Sequence, residues 1–369
     1  MPTTNAQLAW ERYCKDELTR ILPLLVNHGY TLETEQPHIG GERYLMQAVT
    51  TTSGRKLILL GMRRKDGLRV VIKATSDPAG MRELAHERVC RSTLHQLHFA
   101  YDTFHSPEEL LVMQHGSTYV SIQKYIAQEK AFLERPTEEQ FNFALRSLKA
   151  QESAHATTHA HLKEIRRAFE SYSAARYLST HASLVANITA ALPDATALHE
   201  TLTQAIKVFT DGRERVAQYC GFLTHTDFVP HNFRIHDTTI YLLDFSSLRF
   251  GNKYEGWARF MNFMTLYNPP LEQALLKYVT HNRSQEEVEV LTLMRVYRLT
   301  EILWYYTRTL TQTSGNLQEL NRARVDLWHT LLTHTMQGTA LPETTRQDYI
   351  AKRDKLRSEE EKRRQVGLH

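Results

Sequence analysis

Three cysteines are all the chain has in 369 residues: Cys14, Cys90 and Cys220, far apart and with no C-x-x-C pair. That excludes a disulfide framework and gives no zinc knuckle. No apolar run approaches the roughly 18 residues of a membrane span. The first residues also lack the basic-then-apolar order of an export signal. A reducing cytoplasm is the expected setting. An excess of one charge is missing as well. There are 45 Lys and Arg against 41 Asp and Glu, a formal net charge of +4. So mild an imbalance calls for neither nucleic acid nor a membrane surface as partner. Internal repeats and low-complexity segments are absent. What is present is a globular composition, 41% hydrophobic and 23% charged, with room for two domains and a sizeable core.

The informative stretch is 222–250, FLTHTDFVPHNFRIHDTTIYLLDFSSLRF. An apolar lead-in delivers His225, Thr226 and Asp227, and Asn232 follows. Two short apolar runs come next, 233–236 and 240–243, joined by a turn at Asp237, Thr238 and Thr239 and ending on Asp244. Polar residues that are costly in a core are thus held between strand-like runs. A hairpin there brings Asp244 back towards Asp227 and Asn232. One Asn and one Asp suit a hard divalent cation with oxygen ligands, and the second Asp is left to orient a hydroxyl. His225 is placed to fix the loop through backbone hydrogen bonds. His231 is expected to face solvent.

This pattern resembles the catalytic loop and metal-binding strand of the kinase-like phosphotransferases. His225, Asp227 and Asn232 keep the spacing H-x-D-x-x-x-x-N, and Asp244-Phe245-Ser246 stands where D-F-G belongs. The small-molecule branch, the aminoglycoside and choline kinase-like (APH) phosphotransferases, is the closer match, since it does not need the final Gly. The resemblance covers about 44–306. It implies an α+β, bilobal protein-kinase-like fold: a small lobe with a five-stranded antiparallel sheet plus one helix, and a large, mainly helical lobe. It also implies ATP and Mg²⁺ as cofactors and a small-molecule hydroxyl as acceptor. Asn232 and Asp244 become the metal ligands and Asp227 the residue that orients the hydroxyl.

The rest of the chain fits that order. Residues 1–40 form an N-terminal extension whose amphipathic helix offers Leu8, Tyr13, Leu18, Ile21, Leu22 and Leu25 to one face, with Pro23 expected to kink or shorten it. Residues 41–126 are the small, nucleotide-binding lobe. Strands are expected at 44–49, 57–62, 68–73, 110–113 and 119–122, punctuated by 51–54 and 65–67. The third ends R-V-V-I-K, similar to the V-A-I-K of kinases, which makes Lys73 the phosphate lysine. Alone, Lys73 reads as an edge-strand lysine, and the order of strand lysine, helix, catalytic loop and metal aspartate reverses that. Asp77 and Pro78 open a helix that carries Glu83 and Glu87 on one face. Either can reach Lys73; Glu87 is preferred, one turn deeper and flanked by Leu84, Cys90 and Leu94.

Ser53 and Gly54 would cover the phosphates. Protein kinases have several glycines there and this chain has Gly54 alone, with Arg55 beside it. The segment 123–127 is the hinge, with the backbone of Lys124 and Ile126 reading the base by position only. Residues 127–342 are the helical catalytic and substrate lobe, with capping boxes at Thr137/Gln140 and Ser284/Glu287. Trp257, Phe260, Met261 and Met264 make one buried helix face. Residues 343–369 are expected to be an exposed, charged tail whose loss changes little. His155, His159 and His161 have metal-like spacing, yet no H-E-x-x-H and no further ligand; a polar helix face accounts for them.

The sequence therefore leads to an ATP- and Mg-dependent phosphotransferase acting on a small-molecule hydroxyl, such as a sugar or amino alcohol. The rival is a catalytically silent nucleotide-binding pseudokinase or scaffold. Its usual mark is loss of the lysine or of an aspartate, and all three are retained. An aminoglycoside-type polycation finds no acidic excess: seven Lys/Arg stand against six Asp/Glu over 161–224, and nine against eight over 253–326.

Overall fold

The computed structural model describes residues 5–36, 54–97, 104–158 and 161–364. The first half folds around a five-stranded antiparallel sheet. Helix α1 (Asn5–Asn27) leads into β1 (Tyr30–Leu32), β2 (Leu57–Arg63) and β3 (Leu68–Thr75). Then come α2 (Pro78–Gln96), β4 (Phe104–His105), β5 (Glu109–His115) and β6 (Thr118–Lys124). The sheet order is β1-β2-β3-β6-β5. Five strands are expected and five are present, but the outer one is Tyr30–Leu32. The expected strand 44–49 lies outside the described residues.

Helix α1 is a brace rather than a loose extension. Trp10, Tyr13, Ile21 and Leu25 share a core with Leu57, Leu59, Val70 and Ile72 of the sheet. Leu8 and Leu22, expected on that face, are exposed. The helix also runs through Pro23 to Asn27. Ile21 and Leu25 flank the proline and are fully buried, so packing holds both turns despite the missing hydrogen bond. Gly29, at φ +79°, then turns the chain into β1.

The second half is mainly helical. Helices α3 (Thr137–Thr158), α4 (Leu162–Ala168), α5 (Ala174–Ala191), α6 (Thr196–Asp211) and α7 (Arg213–Gln218) precede four short strands. These are β7 (Cys220–His225), β8 (Phe233–His236), β9 (Thr239–Leu242) and β10 (Leu248–Asn252). After them come α8 (Glu255–Tyr267), α9 (Pro269–Asn282), α10 (Gln285–Leu310), α11 (Gly315–Gln337), α12 (Glu343–Leu356) and α13 (Glu359–Arg364). Ser284 and Glu287 make the expected capping box of α10. Thr137 does not cap: it is already the first helical residue, and Gln140 donates to the Arg135 carbonyl instead. Strand β10, not anticipated, pairs antiparallel with β7, and β8 pairs with β9 as a hairpin. Helix α8 is buried all round and forms the axis of this lobe.

The exposed tail is not what forms. In α12, Tyr349 is only 5% exposed and packs in a cluster with Trp328 and Tyr306, while Arg346 donates to the Leu266 carbonyl at the end of α8. A charged sequence hides this because one aromatic carries the contact. Tyr349→Ala is expected to cost about 3 kcal/mol, the usual loss for a buried aromatic. Ending the chain at residue 342 is expected to lower the melting temperature by several degrees. Equal melting curves would show that α12 does not hold the lobe together.

Candidate active site

The site lies between the halves. From the small lobe comes Lys73, on β3 with Ile58 of β2 and Ser121 of β6 as its register partners. Helix α2 crosses behind it with a phase set at its first turn. Asp77 accepts from the N–H groups of Ala79 and Gly80, and Pro78 opens the helix. That phase carries Glu87 to Lys73: the ammonium reaches both carboxylate oxygens, at 2.5 and 2.8 Å, and both side chains are nearly buried. Glu83, the other candidate, pairs with Lys56 instead.

From the large lobe comes the loop between β7 and β8. His225 is fully buried, and its Nε2 lies 3.1 and 3.2 Å from the carbonyls of Leu243 and Asp244. It ties the start of the loop between β7 and β8 to the end of the hairpin. The base of the hairpin is closed by the Leu243 N–H donating to the Asn232 carbonyl, 2.8 Å. So Asn232 and Asp244 sit at neighbouring strand ends. Asn232 spends its Nδ2 on the Asp227 carbonyl and on Asp227 Oδ2, both at 2.8 Å. Among the described residues no protein donor takes its Oδ1.

Asp244 adopts a left-handed backbone, φ 54° and ψ 59°. That is an uncommon position for a residue other than glycine, and it turns the carboxylate out of the strand. Ser246 and Ser247 donate to its two oxygens at 2.5 and 2.6 Å. Burial pushes its carboxyl up, but the Lys56 ammonium, His225 and the two hydroxyls outweigh burial and keep it below the ordinary carboxylate range.

Asp227 is held from the side by Arg259 of α8, whose Nε and Nη2 lie 2.9 and 2.8 Å from Oδ1. The carboxylate keeps 42% of its surface exposed, while the guanidinium keeps 10%. Here too burial pushes the carboxyl up. Arg259, with His231 and His225, more than offsets that and leaves it well below the usual range.

Among the described residues no group of three His, Cys, Asp or Glu forms a metal site. The Asn232 and Asp244 oxygens fit a cation that takes two protein ligands and completes its shell with water and phosphate, as Mg²⁺ does.

The other expected residues fall as follows. Ser53 lies outside the described residues. Gly54 is pressed on the head of α2: a Cβ there would stand 1.6 Å from the Gly80 nitrogen, so only glycine fits. In the hinge, the Lys124 N–H is taken by the Glu108 carbonyl and the Tyr125 N–H by Arg69. Among the described residues no protein group takes the Ile126 N–H. His231, expected to face solvent, is half-buried and lies edge-on to Phe263 at 5.5 Å.

Two site residues escape the sequence reading, Arg259 and Lys56. A signal for the first existed. Arg259, Asn262 and Thr265 recur every third residue in an otherwise apolar helix, and buried polar groups need partners. Asn262 and Thr265 both find Arg295, and Arg259 finds Asp227.

No family model matches the sequence, and no curated protein matches it. Solved structures do. Macrolide 2′-phosphotransferase type I superposes with a TM-score of 0.56 at 11% identity, over 87% of this chain and 97% of its own. The GDP complex of an aminoglycoside 2′-phosphotransferase IIIa variant gives 0.55 at 12% identity, over 79% and 93%. The macrolide 2′-phosphotransferase MphH from Brachybacterium faecium gives 0.51 at 15% identity, over 84% and 97%. The chain therefore has the bilobal, kinase-like fold of the aminoglycoside and macrolide phosphotransferases.

Proposed function

We propose that this protein transfers the γ-phosphoryl group of ATP to a hydroxyl of a small molecule, with Mg²⁺. One observation carries the reading: the Lys73–Glu87 pair, which orients a phosphate-binding lysine, is formed. Phosphoryl transfer of this kind is mostly positioning and neutralisation of charge. Lys73, oriented by Glu87, binds the α- and β-phosphates. Asn232 Oδ1 and the Asp244 carboxylate hold the cation, which when bound neutralises phosphate oxygens. Gly54 would lie over the phosphates, and the backbone of Lys124 and Ile126 reads the base. Asp227 orients the acceptor hydroxyl through its exposed edge. The relatives of the same fold act on macrolides and aminoglycosides. The near balance of charge in the helical lobe argues for a neutral or mixed-charge acceptor over a polycation.

A second reading, nucleotide binding without transfer, has its own observation. Arg259 occupies one oxygen of Asp227 and holds the carboxylate in its unprotonated form, which makes it a weak base.

Thermal shift separates these. A ligand that binds only the native state adds RT ln(1 + [L]/Kd), about 2.7 kcal/mol at a hundredfold excess over Kd. ATP is expected to raise the melting temperature mainly when Mg²⁺ is present, and Asp244→Ala to remove the Mg²⁺-dependent part. GTP belongs in the same series, since one relative of this fold was solved with GDP. Shifts that ignore Mg²⁺ and survive Asp244→Ala favour binding without transfer. No shift with either triphosphate counts against both readings.

A further inference from the structure

The cation that acts most strongly on Asp244 is not Lys73 but Lys56. Lys56 stands one residue before β2. Ile58 is the register partner of Lys73, and side chains alternate along a strand, so 56, 58 and 73 belong to one face of the sheet. The backbone around Lys56 is pinned. Gly54 abuts Gly80, and the Arg55 carbonyl accepts from the hydroxyls of Tyr13, at 2.9 Å, and Thr75, at 2.5 Å. Its ammonium pairs with Glu83, one turn before Glu87 on α2. The other oxygen of Glu83, Oε2, is buried without a hydrogen-bond partner. Glu83, Asp244 and Glu87 are the carboxylates around it. Two lysine–glutamate pairs thus run side by side from the sheet to α2, and the second faces the proposed metal ligand.

We propose that Lys56 is a second phosphate-binding lysine, which leaves Glu83 for a phosphate oxygen when a nucleoside triphosphate binds. This rests on the phosphotransferase reading above. Lys73 then grips the inner phosphates and Lys56 the outer ones, beside Asp244. The competing account is structural: Lys56 and Glu83 only fasten β2 to the helix.

Titration calorimetry decides between them. The ligands are non-hydrolysable adenine and guanine triphosphates, the diphosphates and the nucleosides, each with Mg²⁺. The proteins are wild type, Lys56→Met, Lys56→Arg and Glu83→Gln. Lys56→Met is expected to weaken the triphosphate by about tenfold or more, the loss of one charge-assisted contact, with nucleoside affinity unchanged. Lys56→Arg is expected to recover most of the loss. Glu83→Gln, which frees the lysine, is expected to bind triphosphate at least as tightly as wild type. Triphosphate affinity within twofold of wild type in Lys56→Met overturns the inference. So does a parallel fall in Glu83→Gln, which is the structural account. If Lys56→Met does not fold, Glu83→Gln against wild type still decides by the same criterion. Wild type that binds no triphosphate refutes the phosphotransferase reading itself, and this inference with it.

Discussion

Asp227→Asn is expected to lose turnover by about a thousandfold while nucleotide affinity stays within a factor of about two. The magnitude is that of a positioned acid–base group, 10²–10⁴. The reason lies in how the carboxylate is held. Arg259 takes Oδ1 and Asn232 takes Oδ2, so both oxygens are fixed and the exposed edge presents a lone pair in one direction. A hydroxyl that donates to that edge is aligned for attack. An amide in this place keeps one acceptor oxygen only, so its N–H faces a donor of Arg259 or Asn232 and the lone pair aimed at the hydroxyl is lost. On the nucleotide side Lys73, Glu87 and Asp244 touch none of these atoms, and Asn232, which does, keeps its bond to the Asp227 carbonyl. Turnover is read with an acceptor found in a labelled-ATP metabolite screen, and affinity by calorimetry on the same preparations. Wild-type turnover in Asp227→Asn would remove Asp227 from the mechanism. Loss of nucleotide binding together with turnover would show that the loop, not the hydroxyl, had been disturbed.

What could be read from the sequence follows a physical rule. Contacts fixed by local geometry were legible. The hairpin that returns Asp244 to Asn232 is set by the turn at Asp237, itself left-handed at φ 52°. The choice of Glu87 over Glu83 follows from the phase of α2, which its cap fixes. His225 bonds the backbone as its place in the motif implies. Contacts made across the fold were not legible. Arg259 lies 32 residues from Asp227 on a helix whose apolar spacing drew the eye to its other faces. Lys56 stands between the expected turn 51–54 and the expected strand 57–62, where no local pattern marks it, and its surroundings include Asp244 of the other lobe. The strand Tyr30–Leu32 is three residues long, too short to show an alternation; it exists because β2 offers an edge and α1 a surface. The docking of α12 hangs on Tyr349, one buried residue among many charges.

The largest effect on stability is expected at Glu255, a residue outside the site that holds its floor. It is fully buried at the start of α8. Arg249 of β10 bonds both its oxygens, Tyr177 of α5 donates to Oε2 at 2.6 Å, and Arg298 of α10 reaches Oε1 at 3.3 Å. One carboxylate therefore joins a strand and three helices. That strand, β10, pairs with β7, which ends on His225, so the junction underlies the catalytic loop. The packing is close: a Cβ on Gly251 would stand 2.2 Å from the Tyr177 hydroxyl. Glu255→Ala leaves Arg249 buried with its main counter-charge gone and Arg298 with Glu301 alone. Removing one partner of a buried pair costs about 3–5 kcal/mol, a large share of the roughly 5–15 kcal/mol that keeps a domain folded. The melting temperature is expected to fall on the order of 10 °C.

Glu255→Gln keeps the shape and is expected to lose less. Its pH dependence carries the sign of the charge. Burial pushes the Glu255 carboxyl up, but Arg249 and Arg298 outweigh that, and its folded value lies below the ordinary range. Its contribution is therefore full above the unfolded carboxylate range, about pH 4.3, and is lost as pH falls through the depressed folded value. Glu301, beside Arg298, runs the other way: burial prevails, its carboxyl is raised, and it favours lower pH. The gap in melting temperature between wild type and Glu255→Gln is thus expected to be widest near neutrality and to narrow below about pH 4. A gap that stays constant from pH 7 to pH 3 would show that shape, not charge, is what Glu255 contributes. A melting temperature for Glu255→Ala within about two degrees of wild type would remove it as the junction of the lobe.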